Sequence, residues 1–132
     1  MAAGDAEIVR EMLETFNREP RRSIELLHED ARLEQWSEIP DSGTYIGRDE
    51  YVRGVARWVD EFEPGFRFIP EELGELGGSV LVRVHLRGRG RSSGLEVDLT
   101  VFHLYEVRDG KVSRCRVFTT EDEARAAVEA EG

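Results

Sequence analysis

The chain has one cysteine and three histidines, and it contains no apolar run near the roughly 18 residues a membrane-crossing helix needs. Cys115 alone cannot close an intrachain disulfide. With histidines scattered at positions 28, 85 and 103, there is no metal-ligand spacing, so no metal or other cofactor is expected. The N-terminal residues lack the basic segment and apolar stretch of a secretory leader, and the chain reads as cytoplasmic. A surplus of positive charge is also missing. Against 28 acidic residues stand 18 basic ones, a formal net charge of −10 that repels phosphate backbones and anionic lipid surfaces, so neither nucleic acid nor membrane is an expected partner. Repeats, low-complexity tracts and internal linkers are absent as well.

What remains is a 132-residue chain of ordinary hydrophobic content, read as a single domain over residues 1–132. Val9, Met12, Leu13 and Phe16 fall on one helical stripe and predict a helix from Asp5 to about Asn17. A short helix after Pro20 carries Ile24 and Leu27 and ends at Glu29-Asp30, with His28 complementing its dipole. Arg32 to Ser37 alternates like a strand and leads into a loop over 39–43. A third helix after Gly47 places Val52, Val55, Val59 and Phe62 on its core face, with Tyr51 and Trp58 on its shoulder. Four strands follow, at about 66–76, 80–87, 95–107 and 112–119, punctuated by Gly77-Gly78, a Gly/Ser-rich loop and Asp109-Gly110. Thr120 and Glu123 have the spacing of a capping box and open a last helix. Helices followed by an antiparallel meander make an α+β fold.

Period 2 divides the strands into two faces. One carries Val80, Val82, Val84, Leu86, then Leu95, Val97, Leu99, Val101, His103, Tyr105, then Cys115 and Val117, and is expected to lie under the helices. The other alternates arginines and acids that can pair across strands, with Phe102, Leu104 and Phe118 in its middle. That apolar patch on a charged face predicts a homodimer through Phe102, Leu104 and Phe118; the competing reading is that the last helix or a loop covers the patch within one chain.

His103 is the one group on the apolar face that titrates near neutrality, and burial there favours its neutral form. It is either a ligand contact and candidate general acid/base or a core histidine satisfied by a tyrosine or a carbonyl. Trp36, Tyr45, Tyr51 and Trp58 form either an aromatic pocket mouth or ordinary core. Cys115, on the apolar face, reads as a buried and unreactive thiol. The glycines at 88, 90 and 94 join antiparallel strands and open no helix, which removes the context of a phosphate-binding loop.

The order of elements, with Glu29-Asp30-Ala31, Tyr45-Ile46-Gly47-Arg48, Ser93-Gly94-Leu95-Glu96-Val97, Val107-Arg108-Asp109-Gly110-Lys111-Val112 and Val117-Phe118-Thr119-Thr120, resembles SnoaL-like proteins of the nuclear transport factor 2 superfamily. The resemblance implies a cone-shaped half-barrel, a curved antiparallel or mixed sheet with helices on its concave face around a pocket, commonly dimeric through the sheet. It covers steroid isomerases, polyketide cyclases, epoxide hydrolases, dehydratases and noncatalytic binders. It puts His103 at the strand position where steroid isomerases hold a protonated acid that donates to the developing oxyanion. The general-base carboxylate of that pattern falls on the amide Gln35, and an aspartate frequent at the end of the last strand falls on Thr120.

The expected function is binding of a small, largely apolar molecule, with Gln35, His103 and Tyr105 as polar contacts and Trp36, Trp58, Leu99, Val101 and Cys115 around them. An isomerase, dehydratase or cyclase using His103 as general acid/base is the rival reading, and a noncatalytic dimerisation module is a third.

Overall fold

The computed structural model describes residues 2–35 and 44–131. Helix α1 (Ala2–Arg18) turns Val9, Met12 and Leu13 into the core, and Phe16 continues the same stripe half-buried. Its C-terminal end is pinned to the sheet by Asn17, whose amide nitrogen donates to the Phe68 carbonyl (2.6 Å) and whose amide oxygen accepts from the Phe68 N–H (2.9 Å). Pro20 opens α2 (Pro20–Ser23), a position where the missing N–H costs nothing. This helix gives way at once to a 3-10 turn (Ile24–Leu26).

The expected longer helix through Asp30 does not form. Strand β1 (Leu27–Gln35) begins at Leu27 and takes in His28, Glu29 and Asp30. It pairs in parallel with β6 (Lys111–Phe118) and antiparallel with β2 (Thr44–Ile46), with an irregular register between Leu27 and Arg32. Pairing with β6 at Leu27 and again from Arg32 carries these polar residues along as an irregular stretch of the strand, overriding their weak strand preference. His28 consequently lies within the strand, near Asp30, Arg108 and Asp109.

Helix α3 (Arg48–Val59) is set on β1 by Gly47, whose N–H donates to the Ala31 carbonyl (2.8 Å) at a φ of +96°. Strands β3 (Arg67–Leu76), β4 (Ser79–Arg89), β5 (Glu96–Arg108) and β6 form the antiparallel meander. The sheet order is β2-β1-β6-β5-β4-β3, a curved, unclosed mixed sheet. The concave side, under α1 and α3, collects Val80, Val82, Val84, Leu86, Val101, Tyr105 and Cys115 into the main core. The cover stops short of the far end of β5, so Leu95 and Leu99, expected under the helices, are 68% and 44% exposed.

The convex side corrects the predicted interface. Helix α4 (Glu121–Glu131) crosses to that side and buries Leu104 and Phe118 completely against Ala124, with Phe102, Leu76, Leu81, Ala127 and Val128 around them. Leu104 and Phe118 therefore belong to a second core of the single chain, with Phe102 half-buried beside them, and are not free to meet another copy. The capping box launches this helix: the Glu123 N–H donates to Thr120 Oγ1 (3.2 Å), and the Thr120 N–H donates to Glu123 Oε1 (3.0 Å). Gly77 admits it, since a Cβ there would come within 2.5 Å of Val128 and φ is +58°. Beyond α4 the convex face is charged, with Arg114 bonded to Glu34 and Glu106, and His85 in contact with Asp98.

Candidate functional site

Between the concave face and the helices lies a cavity of about 590 Å³. Met12, Leu13 and Phe16 of α1 form one wall, and Tyr51, Val52, Val55, Trp58 and Val59 of α3 form another. The floor is the inner face of β4, β5 and β6, represented by Leu86, Leu99, Val101, His103, Tyr105, Cys115 and Val117. The exposed residues Pro20, Arg21, Ala56, Asp60 and Thr119 stand at its rim. An aromatic chain closes one side, running from Phe62 and Trp58 (5.2 Å between ring centroids) through Phe66 to Phe68, whose ring lies 6.2 Å from His103.

Apart from Ser23, whose hydroxyl donates to the Pro20 carbonyl (2.6 Å), the buried polar groups of the lining gather at one place. His103 pairs across the strands with Val82 and Val117, and Tyr105 with Val80 and Cys115, so alternate residues of β5 point the two rings to the same side. Their side chains meet: His103 Nδ1 lies 2.7 Å from the Tyr105 hydroxyl. Tyr51 comes down from α3 into the same cluster, and the Tyr51 and Tyr105 hydroxyls are both near enough to the Cys115 sulfur to favour its thiolate against burial. Each of these four residues is buried, and His103 is 7% exposed. Its second ring nitrogen, Nε2, has no protein partner among the described residues.

Burial opposes charge on every one of them. It lowers the pKa of His103 to about 4, so the ring is neutral at pH 7. It pushes the Cys115 thiol up to about 12, against the lowering effect of the two tyrosines. Tyr51 and Tyr105 are raised well above the ordinary phenol range, first by burial and then by Cys115. Arg114 and Arg116, the chain neighbours of Cys115, point to the convex face, where Arg114 is held by Glu34. What lines this cavity is therefore a neutral hydrogen-bonding pole in an apolar enclosure. Among the described residues, no three His, Cys, Asp or Glu side chains converge as a metal site.

Of the residues singled out in the sequence, Trp58, Leu99, Val101, His103, Tyr105 and Cys115 line this one cavity. Trp36 lies outside the described residues, and of Gln35 only the backbone is described, as the last residue of β1 opposite Val117. Tyr51, assigned to the shoulder of its helix, is instead the buried side chain of α3 at 6% exposure. A signal for it existed: Tyr51, Val55 and Trp58 recur at i, i+4 and i+7, as helical a stripe as Val52, Val55 and Val59.

The profile of a SnoaL-like domain matches residues 9–115 of the chain. No curated protein matches it significantly. Among solved structures it is similar to Bal32a from a soil-derived mobile gene cassette, with 21% identity, 93% of this chain and 94% of that one covered, and a TM-score of 0.79. It is likewise similar to a candidate SnoaL-like polyketide cyclase from Jannaschia sp. CCS1, at 21% identity, 97% and 93% coverage and a TM-score of 0.77. TerC, co-crystallised with polyporic acid, shares 20% identity over 96% and 98% of the two chains, with a TM-score of 0.73.

Proposed function

Taking as premise that the chain belongs to the SnoaL-like domain family, we propose that it binds a small, uncharged, largely apolar molecule in the cavity between sheet and helices. The observation that carries this reading is the form of the cavity: about 590 Å³, walled mainly by apolar side chains, with its buried polar atoms, apart from the Ser23 hydroxyl committed to the Pro20 carbonyl, collected at His103, Tyr105, Tyr51 and Cys115. Pockets of that volume and polarity suit small ligands fixed by a few hydrogen bonds. Trp58, Leu99 and Val101 supply contact area, and His103 with Tyr105 supplies orientation. That TerC was crystallised with polyporic acid supports the fold as a holder of small molecules.

Catalysis by His103 as general acid/base is the second reading, favoured by its hydrogen bond to Tyr105. A ring held at a pKa of about 4 is a weak base at neutral pH, so binding takes precedence. The test is a thermal-shift screen of neutral aromatic and alicyclic compounds against wild type and Val101→Trp, which fills the floor. Ligands present at about 100 times their Kd raise wild-type stability by about 2.7 kcal/mol and leave the variant unmoved. A screen in which no neutral compound shifts the wild type, or in which both proteins shift alike, rejects the reading.

A further inference from the structure

His103 has one ring nitrogen committed to Tyr105 and the other, Nε2, in the wall of the cavity without a protein partner among the described residues. The sense of the committed bond fixes what the free nitrogen offers. If the Tyr105 hydroxyl donates to Nδ1, the ring proton sits on Nε2 and can be donated to a ligand. If Nδ1–H donates to the Tyr105 oxygen, Nε2 is a bare acceptor. The second arrangement turns the Tyr105 hydroxyl hydrogen away from His103, and in a dry interior that hydrogen needs another acceptor. Cys115 stands directly across the strand pair from Tyr105 and provides one in its sulfur. In the first arrangement the same thiol can donate to the Tyr105 oxygen. Both senses are thus satisfied, and neither creates a charge.

Resting on the small-molecule reading above, we propose that Tyr105 and Cys115 are positioning residues that let His103 present either a donor or an acceptor, so the cavity takes uncharged molecules bearing a polar group of either sense. A carbonyl compound and an N–H or O–H compound of the same shape then bind comparably. An ion of that shape is disfavoured at the His103 end, because His103, Tyr105, Tyr51 and Cys115 offer it no compensating charge and the charged lining residues Arg21 and Asp60 stand at the exposed rim.

The test uses three bicyclic probes of similar shape with ring-15N-histidine-labelled protein: indole, a donor only; 1-indanone, an acceptor only; and indene, neither. Indole and 1-indanone are expected to bind within about threefold of each other and each about tenfold tighter than indene. The His103 nitrogen shifts are expected to place the proton on Nδ1 with indole and on Nε2 with 1-indanone. Cys115→Ala removes the acceptor for the turned Tyr105 hydroxyl, weakening indole about tenfold more than 1-indanone, and Cys115→Ser restores the balance between the two. One tautomer with both probes, or an equal effect of Cys115→Ala on both, overturns the proposal while leaving small-molecule binding standing. Failure of all three probes to bind wild type overturns the binding reading and this inference with it. Should Cys115→Ala not fold, the tautomer measurement on wild type still decides.

Discussion

His103 is the residue through which acid should reach this protein. Its folded pKa, about 4, lies below the ordinary value of 6.5, so between those values the unfolded chain binds a proton that the folded chain refuses. Stability from the neutral ring is complete above pH 6.5 and falls as the pH drops toward 4, by about 3 kcal/mol in all. The lowered carboxylates, Glu34 beside Arg114 and the exposed Asp98 and Glu123, lose their contribution only as the pH falls through the carboxylate range. Urea unfolding of wild type and His103→Gln at pH 7 and pH 4.5 isolates the histidine: the variant should lose about 2 kcal/mol less on acidification. Equal losses would mean that the ring takes up its proton within the fold. The inner placement of His103 was legible because Val97, Leu99 and Val101 alternate with Glu96, Asp98 and Thr100 along β5, and that parity carries forward to position 103. Tyr51 was obscured by two overlapping helical stripes, and only its packing against the Cys115 side of the sheet chooses between them.

At the scale of elements, α4 decides what kind of surface the sheet presents. Sequence alternation correctly put Phe102, Leu104 and Phe118 on the face opposite His103, and the capping box at Thr120 correctly announced a helix. Neither says which side of the sheet that helix takes. The direction of the chain leaving β6, and the room left at Gly77 for Val128, bring it onto the convex side, and the apolar patch becomes interior. Residues 28–30 were misread for a related reason, since a parallel partner distant in sequence makes them strand and no local pattern marks it. If Phe118 is core within one chain, Phe118→Ala should cost about 3–5 kcal/mol in denaturant unfolding, independent of protein concentration. A loss within about 0.5 kcal/mol, the range for a surface site, would restore the interface reading.

The whole molecule is an unclosed sheet with a core on each side, only one of them filled. On the convex side Leu104, Phe118 and Ala124 are fully buried. The concave side instead keeps about 590 Å³ open beside residues as buried as Val82 and Val84. An apolar lining without partners forfeits dispersion contacts, so this arrangement holds the protein below the stability its own framework could reach. The two sides should therefore answer opposite ways to the same kind of change. Adding bulk to a filled core costs about 1–3 kcal/mol through strain, and Ala124→Leu under α4 should show a loss of that size. On the floor of the cavity, Val101 is 8% exposed and faces open volume, so Val101→Phe should raise stability by about 0.5–2 kcal/mol while weakening any cavity ligand. Calorimetric or denaturant midpoints of the two variants against wild type give the comparison. A destabilised Val101→Phe would mean that the lining closes on itself in solution, leaving no room for a ligand.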